Sequence, residues 1–183
     1  MPQSPAIRAA AIVSVILVAA IGWYLGSPLF IRTTANEALP TAAPTGTAAT
    51  SAAATPIGTA TVGTATPATP SGPMVLLRGD LQYVDNLHNG KGPVSIIRVG
   101  EQRFVRFENV EITNAPDVHV YLSRETGGKW SESTSLYLGA LKATNGSFNY
   151  DIPAGTDVAP YKSVVVWCRA FAVLITWADL RAA

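Results

Sequence analysis

Cysteine is almost absent from the 183 residues: a single one, Cys168, stands in the stretch VVVWCRAFAVLITWADL. One thiol excludes an internal disulfide, a CxxC redox pair and an all-cysteine metal site, so any redox role has to use that thiol alone or a bound cofactor. A haem-attaching CxxCH is missing, as are a GxSxG nucleophile elbow and an HExxH zinc helix. An excess of one charge is missing too. Formal net charge is +1, and from Met74 onward 11 lysines and arginines are matched by 11 aspartates and glutamates. Phosphate binding needs a lysine- and arginine-rich face, so nucleic acid is not an expected partner.

What is present falls into three compositional zones. Residues 9–31, AAAIVSVILVAAIGWYLGSPLFI, are 23 residues without a charge between Arg8 and Arg32. At 1.5 Å per residue about 20 apolar residues span the roughly 30 Å hydrocarbon core, and Trp23 and Tyr24 sit where an interfacial aromatic belt would lie. A cleaved secretory signal would carry a shorter apolar run and a small-x-small site, and RTTANEAL offers no A-x-A. The run therefore predicts an uncleaved signal anchor, a transmembrane helix at 9–31 behind a short cytoplasmic N-terminus at 1–8. Residues 33–73 hold 12 threonines, 12 alanines, 6 prolines and one charge, Glu37, with no aromatic residue. Nothing there can offset the entropy of ordering the chain, so 32–73 reads as a disordered linker, a tether of about 35 Å on the extracytoplasmic side.

From Met74 to Ala183 short apolar runs alternate with turn signals, which predicts one all-β domain, a β-sandwich or flattened barrel of about eight short strands. The candidate strands are VLLRGDLQYV, VSIIRV, RFVRFENVEI, DVHVYLS, SLYLGAL, SFNYDI, SVVVWCRAF and AVLITW. Asn145-Gly146 matches a glycosylation acceptor pattern in NGS, but between two strands it reads first as a hairpin turn. Such a domain is large enough to bury its own core without disulfides.

Three residues are candidates for chemistry. Period-two alternation puts Val164, Val166 and Cys168 on one face of their strand and Val165, Trp167 and Arg169 on the other. Cys168 is then either a small buried hydrophobe, as most free cysteines are, or a redox thiol or ligand facing a cavity. His88 lies in the loop DNLHNGKGP, where an imidazole is free to bind. His119 shares a strand face with Tyr121, opposite Val118, Val120 and Leu122. Two imidazoles and a thiolate suit a copper-type site, although no short-range ligand spacing supports one.

Ordered blocks across residues 76 to 180 resemble the DM thirteen family, small extracytoplasmic domains labelled as electron-transfer domains. GDLQYVDNLHNGKGPVSI is similar to the opening of the family. RFENVEITNAPDVHVYLS is similar to its N-x-PDL-x-VYLS block, and LGALKATNGSFNYDIPAGTDVAPYKSVVVWCRAF to its closing signature. Departures fall at Asn109-Val110 and Ala143, away from the cysteine block. The resemblance implies that Cys168 is the family's near-constant cysteine, proposed to act in redox chemistry as a bare thiol or by holding a prosthetic group such as haem. It also implies a separate electron-transfer protein as partner. The expectation is a single-pass, membrane-anchored extracytoplasmic domain with a redox role through Cys168, and His88 and His119 as further cofactor ligands. No particular cofactor is required by the sequence; a haem or a metal ion would fit the resemblance. The domain would be a redox component rather than a stand-alone enzyme, and the second reading is a non-catalytic binding or adhesion module displayed on a stalk.

Overall fold

The structure, a computed structural model, describes residues 5–41 and 72–183, without the side chains of residues 6, 7, 10, 25 and 28–30. In chain order the elements are helix α1 (Pro5–Phe30) and strands β1 (Thr34–Asn36), β2 (Met74–Asp80), β3 (Gly90–Lys91), β4 (Pro93–Val99) and β5 (Gln102–Ile112). They continue with β6 (Val118–Ser123), β7 (Ser135–Ala140), β8 (Asn145–Ile152), β9 (Ser163–Cys168), β10 (Val173–Asp179) and β11 (Arg181–Ala182). Among the described residues no helix is long and apolar enough to cross a membrane. The spanning segment expected over 9–31 therefore rests on the sequence.

The strands form two sheets. One has the order β1-β8-β5-β4-β2-β11, with β3 also paired to β5, and the other β10-β9-β6-β7. All pairs are antiparallel except β1 with β8. The eight expected strands are all present, so the all-β sandwich stands. Its core is made by the alternate, inward residues of the two sheets. Val94, Ile96, Val105, Phe107 and Phe148 come from the larger sheet, Val120, Leu122, Val164, Val166 and Cys168 from the smaller, and all are solvent-free. Phe107 and Phe148 face each other across β5 and β8 with ring centroids 5.0 Å apart. A cross-strand aromatic pair of this kind ties two strands together by burial and ring contact at once.

Two expectations are corrected. Asn145-Gly146 is no hairpin: β7 and β8 belong to different sheets, and both residues open β8. Gly146 has φ +101°, a left-handed conformation that favours glycine, and a Cβ there would lie 2.2 Å from the Ala35 carbonyl oxygen. The glycine is needed because another backbone passes over it. That backbone is β1, so the disordered linker expected from residue 32 is corrected over its first residues, which add a parallel edge strand to β8. The part of the linker at 42–71 lies outside the described residues.

One side chain fastens this edge strand. The Glu37 carboxylate accepts from Lys142 Nζ at 2.8 Å, from the Asn149 backbone N–H at 2.8 Å and from Asn149 Nδ2 at 3.2 Å. Its carbonyl accepts from the buried Arg106 at 2.8 Å, and its own N–H donates to the Ser147 carbonyl at 2.8 Å. Burial pushes the Glu37 carboxyl up, but the donors of Lys142 and Asn149 outweigh it and hold the group below the usual glutamate range. A carboxyl depressed in the folded state stabilises the docked form above its unfolded value of about 4.3. That contribution is lost as pH falls through the lower folded value. Accordingly Glu37→Gln should cost about 1 kcal/mol in urea unfolding near neutrality and little in acid. In the wild-type protein the amides of Ser147 and Asn149 should exchange faster with solvent below pH 4 than temperature-matched core amides do. Equal sensitivity of the variant at both pH values would exclude the clasp.

Candidate functional site

Each of the three sequence candidates is placed differently. Cys168 ends β9 with its sulfur in the core and none of its surface exposed; the thiol donates to the Pro116 carbonyl at 2.8 Å. Of the two alternatives for this residue, the geometry has the features of the buried one: a small, satisfied core side chain beneath the sheet. Pro116 precedes Asp117, which has φ +58° and whose carbonyl accepts the Arg169 N–H at 3.0 Å. Cys168 and Arg169 thus fasten, from consecutive positions, the two residues that lead into β6.

His88 sits in the loop after β2, where Asp85 folds back on it. The Asp85 carboxylate lies 2.8 Å from His88 Nδ1 and also accepts the backbone N–H groups of Leu87 and His88 at 2.7 Å. These hydrogen bonds, that of the His88 ring first, hold the Asp85 carboxyl below its ordinary value. The histidine is therefore part of a self-contained turn. A nearby cleft of about 380 Å³, lined by Arg32, Tyr83, Asn89, Lys91 and Asn114 among others, takes in its neighbour but not His88 itself. Two of its wall groups are already paired, Lys91 with Glu111 and Asn114 with the Ile31 carbonyl.

His119 is 7% exposed and points away from the core. In the β6–β9 register Val118 stands opposite Cys168 and His119 opposite Trp167, so His119 and the cysteine sulfur lie on opposite faces of one sheet. They cannot ligate one ion or one haem. Among the described residues no group of three or more His, Cys, Asp and Glu side chains is placed to hold a metal ion. The ligand set expected from Cys168, His88 and His119 is not assembled, and no step is assigned to a metal or haem.

What the outer face of the smaller sheet does assemble is a chain of rings. Trp167 of β9 lies 5.1 Å from Trp130, which reaches over from the loop before β7; Trp130 lies 4.5 Å from Tyr121 of β6. Tyr121 is 5.4 Å from Tyr137 of β7, and Tyr137 is 5.5 Å from His119. Centroid spacings of 4.5 to 5.5 Å are ring-to-ring contact. Beside the chain, Arg169 donates through Nε to the Tyr121 hydroxyl at 2.7 Å and lies over the Tyr137 ring at 4.7 Å. That hydrogen bond raises the Arg169 pKa, so the cation is permanent. Tyr121 is almost fully covered, and burial pushes its phenol up despite Arg169.

At the end of this chain three side chains form a relay. His119 Nε2 lies 2.5 Å from Asp117 Oδ1 and its Nδ1 2.9 Å from the Tyr137 hydroxyl. A carboxylate only accepts, so Nε2 carries a proton; in the neutral ring Nδ1 is then the acceptor and Tyr137 the donor. Strand alternation in the sequence puts His119 and Tyr121 on one face and Trp167 opposite Cys168, but it does not mark Asp117, Trp130, Tyr137 or Trp167 as site residues. Alternation within HVY and VWC was the available signal. The pairing that brings these rings together was not.

No curated protein and no solved structure matches the chain. Residues 82–180, which include His88, Cys168 and every member of the ring chain, match the family model described as Electron transfer DM13. That match spans more than half of the protein, and the chain belongs to the Electron transfer DM13 family.

Proposed function

We propose that this protein is a membrane-anchored electron-transfer component whose sandwich is displayed on the extracytoplasmic side, and that electrons are exchanged at the outer face of the four-stranded sheet. The observation that carries this reading is the unbroken ring chain Trp167, Trp130, Tyr121, Tyr137, with contact at every step and Tyr137 46% exposed at its end. Electron transfer falls off steeply with distance through saturated protein. Touching π-systems that reach the surface supply a short route between a docked redox protein and the domain.

Cys168 enters this reading as a positioning residue. Its S–H bond to Pro116 holds the chain where Asp117 leads into β6, directly beneath the His119 end of the face. The reading with the thiol itself as the redox group needs the sulfur brought to solvent. The two are separated by flash oxidation of the full chain in detergent with photogenerated tris(bipyridine)ruthenium(III). Cys168→Ala should leave the decay of the oxidant within about twofold of wild type, while lowering stability by about 1 kcal/mol. Replacing Tyr121, Trp130 and Tyr137 together with leucine, with folding checked by far-ultraviolet circular dichroism, should slow that decay about tenfold. The opposite pattern would transfer the role to the thiol.

The anchor is supported by the 23 charge-free residues and by α1 itself. Ile12, Val13, Val15, Ile16, Leu17, Val18 and Ile21 are all more than half exposed, so among the described residues these apolar side chains are not covered by the domain. A helix that is apolar all round suits lipid better than water. The full chain should stay in the membrane pellet after an alkaline carbonate wash. Deletion of residues 1–31 should release it, and release of the intact chain would remove the anchor from the proposal.

A further inference from the structure

We propose that Tyr137 is the residue of this face that is oxidised, with His119 taking its proton and Asp117 holding His119 in the accepting tautomer. The inference rests on the electron-transfer reading and adds the identity of the redox group. Two observations single out Tyr137 among the four rings, and a third bears on how it is oxidised. Its hydroxyl alone faces an imidazole nitrogen, at 2.9 Å. It is the most exposed ring of the chain, so a partner can reach it directly. The Arg169 guanidinium over its face, 4.7 Å from the centroid, opposes any ring state that adds positive charge. Oxidation beside a fixed cation is easiest when the proton leaves with the electron.

The balance is simple. The Tyr137 O–H bond breaks; the electron goes to a one-electron oxidant docked on the face, and the proton forms an N–H bond at His119 Nδ1. The products are a neutral tyrosyl radical, an imidazolium paired with the Asp117 carboxylate, and the reduced partner. A one-electron donor reverses the step, with His119 returning the proton. Tyr121 is not equipped for this. Its oxygen accepts from Arg169 at 2.7 Å, which stabilises the anionic phenolate but supplies no base for the proton.

The charged and titratable groups around His119 are Asp117 just before its own strand, Tyr137 from β7, and Arg169 and Tyr121 behind Tyr137. Glu132, before β7, acts on Tyr121 through charge. Protonating His119 removes the only base in this set that touches Tyr137, so acid should slow the step.

The test uses the full chain in detergent and the same photogenerated ruthenium(III) oxidant, read by transient absorption and electron paramagnetic resonance. Wild type should give a tyrosyl signal with a solvent deuterium isotope effect, and Tyr137→Phe should abolish that signal. His119→Gln should slow its formation about 100-fold and remove the isotope effect. Asp117→Asn, which leaves the ring in place, should slow it less and shift its pH dependence. A tyrosyl signal that survives in Tyr137→Phe, or a rate indifferent to His119→Gln, overturns the assignment while the electron-transfer reading stands. If no ring of the wild-type protein is oxidised under a flash that oxidises free N-acetyl-tyrosinamide, both fall.

Discussion

The in-register pairing of β6 with β9 is the constraint on which the rest depends. Six consecutive pairs, from Val118 opposite Cys168 to Ser123 opposite Ser163, put two strands at the centre of a four-stranded sheet. Because side chains alternate with a period of two, this register sends Val118, Val120, Leu122, Val164, Val166 and Cys168 into the core together and His119, Tyr121 and Trp167 out together. A slip of one residue would exchange the faces, put an imidazole and an indole inside and expose the valines. The apolar inner set therefore selects the register, and the aromatic outer set follows from it.

Electrostatics then concentrates charge at one end of the outer face. Arg169 is a permanent cation held against two tyrosine rings, and beside it Asp117 and His119 form a hydrogen-bonded pair that reaches the Tyr137 hydroxyl. Positive charge disfavours an oxidised ring that keeps its proton, and the imidazole offers that proton a place to go. The same two residues are tied to the scaffold through their backbones, since the Arg169 N–H donates to the Asp117 carbonyl and Cys168 donates to Pro116 one residue before it. Packing beneath the sheet and chemistry above it are joined at this corner.

The other sheet is organised around a different fastening. Glu37 draws the segment after α1 onto the edge of β8, where its carboxylate meets Lys142 and Asn149 and its backbone meets Arg106 and Ser147. The open edge of β8 is thereby covered, which removes a site for unwanted strand pairing. The strand also shortens the path from helix to domain. A tether that began at residue 32 would let the sandwich move freely, whereas a docked β1 sets the seven-stranded sheet a few residues from the end of α1. Among the described residues the smaller sheet, with its aromatic face, has no such fastening to the helix segment.

Composition and periodicity were enough for the all-β class, for eight of the strands, for Val164, Val166 and Cys168 sharing one face and for His119 sharing a face with Tyr121. These depend on neighbours along the chain, and strand alternation is a local property. The edge strand β1 was hidden because a threonine- and alanine-rich segment has no pattern of its own and is ordered by long-range hydrogen bonds, those of Thr33 with Thr144 and Asn145 and of Glu37 with Ser147, Asn149, Arg106 and Lys142. The Asn145-Gly146 pair read as a hairpin because its turn chemistry is local, while the sheet that each flanking strand joins is not. Ligation by Cys168, His88 and His119 depended on three distances in space, and tertiary structure put the first and last on opposite faces and the second in a turn closed by Asp85. Likewise the chain of Trp167, Trp130, Tyr121 and Tyr137 exists only because β6 pairs with both β7 and β9, the latter through partners 40 to 50 residues apart in sequence. Alternation along a strand determines which way each side chain points; the pairing of distant strands decides which side chains it meets.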